Sequence, residues 1–336
     1  MPPFVSALRD GSDDPRPHVV AIGGGHGLAA TLSALHRLPV YPIAVVGTAD
    51  DGGSSGRLRI ELNCLPPGDM RMALGALLGD TPEAAAWREL MHQRFPAGSE
   101  LQGHAIGNLM LVALLHEHDP VTALTRASRL LGIDGLVLPA AVEPLDLEAE
   151  VRGADSDASV RSIVRGQVAI ARTTGHVEHV RVLPDGADAA AEVVDHVRSA
   201  DVVVLGPGSW WTSVIPPLLL PSLRRAVVET DALKVLVLNL GAQPGETSGY
   251  TAASHMHVLN NVFPELDLDV VIADEAHTDD VAELKAAATL LGATVVLADV
   301  ARVNQGDKGD LAHDPELLSE ILCRVLDTHG RINTCP

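Results

Sequence analysis

Residues 18–27 read His-Val-Val-Ala-Ile-Gly-Gly-Gly-His-Gly, and this stretch decides the fold class. Its apolar run at 19–22 is typical of a buried parallel strand, and the run at 43–46 predicts a second strand of the same kind. Between the two runs, leucines recur at steps of three and four residues, which is the period of a helix. These are Leu28, Leu32, Leu35 and Leu38. The stretch therefore predicts a β-α-β unit with a glycine cluster in its first turn.

The glycine cluster is a candidate anion-binding loop. Glycines at a strand-to-helix turn let a ligand approach the backbone closely, and the start of the helix presents unpaired N–H groups. A phosphate or pyrophosphate is the natural ligand of such a turn. The candidate residues are Gly23, Gly24, Gly25, His26 and Gly27. Glycines there also permit tight packing alone, so this loop by itself leaves both uses open.

A second polar loop follows the second predicted strand. It contains Asp50, Asp51, Gly52, Gly53, Ser54, Ser55 and Arg57. Two carboxylates suit hydroxyl groups or a metal ion, and the loop adds backbone donors, two hydroxyls and one cation. The combination favours a binding loop over the alternative, a solvated polar turn.

Three further polar residues stand near predicted helix starts. Asp69 follows Pro66-Pro67-Gly68 and is either the N-cap of the next helix or a ligand contact. Arg71 lies in the first turn of that helix, where a cation does not suit the helix dipole, so it is expected to face an anion or a carboxylate. Asn108 either reaches a ligand or bonds to the backbone.

The apolar run at 201–205 predicts another buried strand, and it ends in a third glycine turn. The candidate residues of this turn are Gly206, Pro207, Gly208, Ser209 and Thr212. Trp210 and Trp211 follow; they either stack on a base or sugar or, the favoured interpretation, anchor the core of an aromatic-poor chain. Gln243 lies after a further predicted strand, again where ligands of open α/β sheets bind.

The region 136–183 has a different pattern of apolar and polar residues. Short apolar segments at 136–138, 168–170 and 177–182 alternate with Gly and Asp clusters and with a very polar stretch at 152–165. This pattern predicts the strands and hairpins of a small β-rich lobe. The remaining strand and helix signals predict an α/β fold with a doubly wound, mostly parallel sheet.

The composition excludes several classes of function. Of the 336 residues, 46% are hydrophobic and only 2% aromatic, so the core consists mainly of Ala, Val and Leu. The formal net charge is −20, which argues against nucleic-acid binding and against a site on an anionic membrane surface. An anionic ligand must therefore be held by local donors.

The sequence also predicts the location and domain boundaries. There is no signal peptide and no apolar run of membrane-spanning length, and the three cysteines have neither metal-ligand spacing nor a disulfide framework. A cytoplasmic protein without a dedicated metal site is expected. The expected division is a flexible leader at 1–17, one α/β unit at 18–330 and a tail at 331–336.

The motifs GGGHGL, ADDGGSSGRLR, PPGDMR, GHAIGN, LGPGSWWTSVIP and QPGETSGYT resemble, in this order, the YvcK-type family of gluconeogenesis factors. That family shares a superfamily with 2-phospho-L-lactate transferase. The resemblance covers residues 19–326. It implies a Rossmann-like, cytoplasmic factor needed for growth and cell shape on gluconeogenic carbon sources. It further implies binding of UDP-N-acetylglucosamine and a regulatory link to cell-wall synthesis through an unidentified protein partner, without a settled catalytic activity.

The resemblance implies roles for the candidate residues. The loops at 23–27 and 206–209 would hold the pyrophosphate through backbone N–H groups. Asp50 or Asp51 would bind sugar or ribose hydroxyls, and Ser54, Ser55 and Arg57 would line the same wall. The ligand set is thus a UDP-sugar with Mg²⁺ as an option, and a homo-oligomer is left open.

The superfamily also implies an alternative, a transferase that moves a phospholactyl group onto a deazaflavin acceptor. Asp50 or Asp51 would then hold Mg²⁺ or activate the attacking hydroxyl, and Arg57 or Arg71 would neutralise the leaving phosphate. The DDGGSSGRLR and PPGDMR segments differ from the pattern of the transferases, which disfavours this alternative. A nicotinamide oxidoreductase is weaker still, because GGGHG is not GxGxxG.

Overall fold

Seven parallel strands form one central sheet in the computed structural model, which describes residues 14–154, 160–243, 245–303 and 311–332. The strands are β1 (His18–Gly23), β2 (Tyr41–Val46), β3 (Leu136–Pro139), β4 (Asp146–Arg152), β5 (Arg161–Arg165), β6 (His176–Leu183), β7 (Val202–Leu205), β8 (Leu233–Val237), β9 (Val270–Asp274), β10 (Thr294–Ala298), β11 (Ala301–Val303) and β12 (Leu311–His313). The order across the central sheet is β10-β9-β8-β7-β1-β2-β3. All of its neighbouring strands pair in parallel.

Helices cover both faces of this sheet. They are α1 (Gly25–Leu35), α2 (Gly53–Leu62), α3 (Pro67–Ala76), α4 (Pro82–His92), α5 (Ile106–Glu117), α6 (Pro120–Leu131), α7 (Gln167–Ala171), α8 (Ala191–Arg198), α9 (Ile215–Leu218), α10 (Pro221–Glu229), α11 (Ala252–Val262), α12 (Val281–Thr289) and α13 (Pro315–Thr328), with a π-helical turn at Trp210–Val214. Within the described ranges, no helix is both long enough and apolar enough to cross a membrane.

Strand β1 shows that both faces of the central sheet are buried. Val19 and Ala21 belong to one core, shared with α1, α3 and α13, whereas Val20 and Ile22 belong to the other, shared with α8, α10, α11 and α12. A parallel strand covered on both sides is apolar at every position, which is how the run at 19–22 reads. The predicted α/β fold with a doubly wound, mostly parallel sheet is confirmed.

The β-rich lobe is smaller than the sequence suggested. Strands β4, β5 and β6 form an antiparallel sheet in the order β5-β4-β6. The segment 136–138 instead belongs to β3, the edge of the central sheet, and 168–170 is helical within α7. Short apolar runs fit a strand or a buried helix equally well, and only the surroundings decide. Here the α7 amide of Val168 donates to Asp51 Oδ1 at 2.9 Å, so a contact distant in sequence fixes the helix.

Two other expectations concern the chain ends and the cysteines. The leader and tail expected at 1–17 and 331–336 fall largely outside the described residues. Cys64 is free, but Cys323 is disulfide-bonded. The expectation that no disulfide forms is therefore wrong for Cys323.

The loops after β1 and β7 meet in an unusually close backbone contact. A Cβ placed on Gly27, in the first turn of α1, would lie 1.8 Å from the carbonyl oxygen of Pro207. No side chain larger than hydrogen fits at that distance. Gly27 is therefore required for packing, whatever its part in binding.

We expect Gly27→Ala to lower the free energy of unfolding by about 1–3 kcal/mol, because the added methyl group must push α1 away from the β7 loop. Denaturant unfolding followed by circular dichroism measures this. Gly47→Ala is the matched control, since a Cβ there would lie 3.7 Å from its nearest neighbour, Gly23 O. Equal stability of the two variants would contradict the close contact.

Candidate functional site

A cleft lies where the strand order reverses, between the carboxyl ends of β1 and β7. In doubly wound sheets the loops after two such strands leave toward opposite faces, and ligands bind in the crevice between them. Four residues predicted as ligand contacts line this cleft: Gly23, Gly24, Asp69 and Thr212. Thr48 and Gln167 also line it, although the sequence analysis did not select them.

Two helices that follow the glycine loops begin without a side-chain cap. Gly24 and Gly52 occupy the N-cap positions of α1 and α2. The first hydrogen bonds within these helices run from Leu28 N–H to Gly24 O and from Gly56 N–H to Gly52 O. The amides of residues 25–27 and 53–55 therefore precede the helical hydrogen-bond ladder and need partners from elsewhere.

Five other helices begin differently. Side-chain oxygens of Thr81, Asp119, Thr251, Asp280 and Asp314 accept backbone N–H groups at the starts of α4, α6, α11, α12 and α13. The starts of α1 and α2 share the lack of a side-chain cap with α3, α5, α7, α8, α9 and α10, but they follow directly on the glycine loops after β1 and β2. Uncapped amides and the positive end of the helix dipole attract anions.

Asp69 places a carboxyl group beside the start of α1. Helix α3 begins at Pro67, with Pro66 as its N-cap, so the expectation that Asp69 caps this helix is wrong: a proline at N1 starts the helix two residues earlier. Although Asp69 is partly open to the cleft, its carboxyl group is surrounded by protein. Burial, and then the negative charge of Asp50, raise the pKa of Asp69 to about 7, against a smaller lowering by the amide of Gly25.

The two adjacent aspartates of the second loop have different surroundings. Asp50 Oδ1 accepts the Gly52 amide at 2.9 Å, and its charge acts on Asp69. Asp51 instead accepts the amide of Val168 in the lobe. The lobe residue Gly166 approaches Asp51 so closely that a Cβ there would lie 2.3 Å from Oδ2. Asp50 is therefore the carboxylate available beside Asp69, whereas Asp51 attaches the lobe to the cleft wall.

A continuous chain of hydrogen bonds fixes the buried guanidinium of Arg71. Arg71 Nε donates to Asn108 Oδ1 at 2.8 Å, Asn108 Nδ2 donates to Ser54 Oγ at 2.9 Å, and Ser54 Oγ lies 2.9 Å from His104 Nδ1. Burial lowers the pKa of His104, which favours its neutral ring. Asn108 and Ser54 thus bond to protein groups in this structure.

Arg71 retains unused donor capacity. It is 5% exposed, and its Nη1 has no hydrogen-bond partner. Arg57, by contrast, is exposed and donates through Nη2 to Gln102 O at 2.6 Å. Arg71 and not Arg57 therefore brings a buried positive charge to the wall that carries Asp69.

The third glycine turn has few free amides. Gly206 N–H donates to Ile22 O at 3.1 Å, Pro207 has no N–H, and Gly208 N–H donates to Asn239 Oδ1 at 2.8 Å. Asn239 Nδ2 returns a bond to Gly208 O at 2.7 Å. This turn is held to the end of β8 by one asparagine, so it shapes the cleft more than it offers donors.

Several of these residues were missed by the sequence analysis. Asn239 follows a buried strand directly, a position whose polar side chain could have identified it. Gln167 lies on α7, and its Nε2 donates to Thr212 O at 3.3 Å; no local signal indicates that contact. Gln243, by contrast, was predicted as a ligand contact. It lies in the loop after β8, where its backbone amide donates to Thr247 Oγ1 at 2.8 Å and its buried side-chain Oε1 has no hydrogen-bond partner.

We expect Asn108→Ala to lower the free energy of unfolding by about 1–3 kcal/mol, because it leaves the buried Arg71 Nε without its acceptor. The measurement is denaturant unfolding at pH 7. Asn261→Ala, at an exposed position of α11, is the matched control and should stay close to the parent protein. A loss equal to that of the control would show that the chain from Arg71 to His104 contributes nothing.

The comparisons with known proteins agree with this architecture. The family model described as 2-phospho-L-lactate transferase CofD matches residues 19–309. A protein of Mycobacterium tuberculosis named "Putative gluconeogenesis factor" is 48% identical over 308 residues, covering 90% of this chain and 89% of that one. The "Gluconeogenesis factor" of Bacillus subtilis is 40% identical over 246 residues, covering 73% and 74%.

A solved structure has the same fold. The crystal structure of a UPF0052 family member from Bacillus halodurans superimposes with a TM-score of 0.81 at 32% identity, covering 92% of this chain and 99% of that one. The resemblance inferred from the motifs is confirmed. The chain therefore belongs to the CofD family and, within it, to the gluconeogenesis factors of the YvcK type.

Proposed function

We propose that this gluconeogenesis factor is a cytoplasmic regulatory protein that binds a UDP-sugar, UDP-N-acetylglucosamine, in the cleft between β1 and β7. One observation carries the proposal: the uncapped starts of α1 and α2 flank Asp50 and Asp69, with the buried Arg71 behind them. Amides and a cation suit a pyrophosphate, and carboxylates suit the hydroxyls of ribose or sugar.

The geometry supports a division of roles. The amides at 26–27 and 53–55 and the unpaired Nη1 of Arg71 would bind the pyrophosphate. Asp50 would accept hydroxyl protons. The turn at 206–209 would contribute shape, because its amides at 206 and 208 already have acceptors. We propose that the bound state is read by a protein partner in cell-wall synthesis and so affects cell shape.

A second candidate function is the phospholactyl transfer that gives the family model its description. The pair formed by Asp50 and Asp69 favours it, because two neighbouring carboxylates suit Mg²⁺, an oxygen-binding cation that keeps several waters. Within the described ranges no group of three or more His, Cys, Asp or Glu residues could hold a metal. Mg²⁺, when bound, would neutralise phosphate charge, while Arg71 holds the leaving phosphate and Asp50 orients the acceptor hydroxyl.

Isothermal titration calorimetry with UDP-N-acetylglucosamine, GDP and NAD, each with and without Mg²⁺, tests the two functions. We expect micromolar binding of the UDP-sugar alone. Preference for GDP with a requirement for Mg²⁺ would contradict the regulatory function and support the transferase. A deazaflavin phospholactylation assay would then follow.

We expect Asp50→Asn to weaken UDP-sugar binding about tenfold, because a charged acceptor for a hydroxyl contributes roughly 1.5 kcal/mol or more. Calorimetry on the folded variant measures the change. Asp80→Asn, an exposed loop substitution, is the control and should bind as the parent does. Unchanged affinity in Asp50→Asn would remove Asp50 from the site.

A further inference from the structure

Behind the cleft lies a cluster of buried polar side chains without hydrogen-bond partners. It is formed by the π-helical turn at Trp210–Val214 and by the loop and helix that follow β8. The unpartnered atoms are Trp210 Nε1, Gln243 Oε1, both carboxylate oxygens of Glu246 and His255 Nε2. Buried polar atoms are nearly always paired, and leaving them unpaired costs free energy. This concentration of them beside the candidate site requires a reason.

Glu246 is the charged member of the cluster. It is 2% exposed, and it lies close to the hydroxyl of Thr212 and to the amides of Trp210 and Trp211, although neither oxygen makes a hydrogen bond of ordinary geometry. Burial raises the pKa of Glu246 to about 7 against the smaller effects of these groups, none of which is a cation. An ionised Glu246 is therefore an uncompensated buried charge.

The neighbouring aromatic groups keep this environment neutral. His255 packs edge-on against Trp210 at 4.8 Å and against Tyr250 at 5.4 Å. Burial lowers the pKa of His255 and raises that of Tyr250, so neither side chain is charged near pH 7. Across Tyr250 lies His176 of β6, with ring centroids 6.0 Å apart.

Two charged groups approach the cluster from other elements. Arg172, after α7, adjoins the Glu246 loop: its Cα would lie 3.5 Å from a Cβ on Gly245. Asp69 faces the cleft that Thr212 also lines. Neither acts on the pKa of Glu246 as strongly as burial does. Thr212 thus lines the cleft together with Asp69 and also lies beside Glu246.

We propose that Glu246 is a positioning residue of the ligand site: its carboxyl group lies behind Thr212 and the Trp210–Trp211 amides and, when ionised, opposes the binding of an anionic ligand in the cleft that Thr212 lines. The inference rests on the proposed function and adds to it a residue that does not line the cleft. The ionised carboxylate attracts the two amides and places a negative charge behind the anion site, whereas the neutral acid does neither.

The sign of the expected pH dependence follows from linkage. A bound anion favours the protonated form of Glu246, so binding takes up protons near pH 7, and affinity falls as the pH rises through that range. Asp69 has the same sign, so the slope of the parent protein alone does not separate the two groups. The pH dependence of affinity must therefore be compared between the parent and Glu246→Gln. Asp69 and the titration of the ligand contribute equally to both proteins, so any difference is due to Glu246.

The experiment is calorimetric titration of the parent protein and Glu246→Gln with UDP-N-acetylglucosamine at pH 6 and pH 8. We expect equal affinities at pH 6 and about fivefold tighter binding by the variant at pH 8, the lower range of typical coupling between sites. Glu246→Ala should bind more weakly at both pH values, because the turn loses its support. Glu192→Gln, on the exposed face of α8, is the matched control and should follow the parent.

The outcomes separate this inference from the proposed function. A ratio of variant to parent affinity that is the same at both pH values would overturn the inference and assign Glu246 a purely structural role. Inorganic pyrophosphate is titrated in parallel. Binding of pyrophosphate without binding of the UDP-sugar would overturn the proposed function, and the same ratio measured with pyrophosphate would still decide the role of Glu246. Binding of neither probe would overturn both.

Discussion

The contact between Gly27 and the carbonyl oxygen of Pro207 is the constraint on which the cleft depends. It fixes the distance between the loops after β1 and β7, and so the width of the crevice between them. With α1 held there, its first amides face Asp69 and its dipole adds positive potential at the same edge. Asn239 holds the opposite loop from the other side. These contacts therefore set the positions of the two loops, and the loops in turn determine where the polar groups of the cleft lie.

The proposed anion site lies in a protein with a large negative net charge. A chain with a formal net charge of −20 cannot draw in an anion by its overall field. The local donors are amides at two helix starts and one buried guanidinium, and burial strengthens the interactions of the guanidinium. Asp69 and Glu246 act against them as buried acids. For the proposed anionic ligand, the balance between these few groups, and not the surface charge, would set the affinity.

The sequence predicted what is encoded locally. The apolar runs at 19–22 and 202–205 define strands, and the turns after them place three candidate residues in one cleft: Gly23, Gly24 and Thr212. The misassigned segment at 168–170 and the missed contact of Gln167 with Thr212 have one cause: both depend on partners distant in the chain. The same holds for the role proposed for Glu246, which rests on its burial beside Thr212. Hydrophobic periodicity and turn residues carry no information about such long-range contacts.

The position of β1 in the sheet has a consequence for synthesis of the protein. β1 pairs with β2, which follows it directly, and with β7, which the ribosome makes only after the lobe is complete. The wall of the cleft that follows β1 can therefore form early on the nascent chain. The wall that follows β7 forms only after the second half of the chain has been synthesised. Until then the buried edge of β1 is exposed to pairing with other strands, and no ligand that needs both walls can protect it. The cleft is therefore completed only after β7 has been synthesised and has paired with β1.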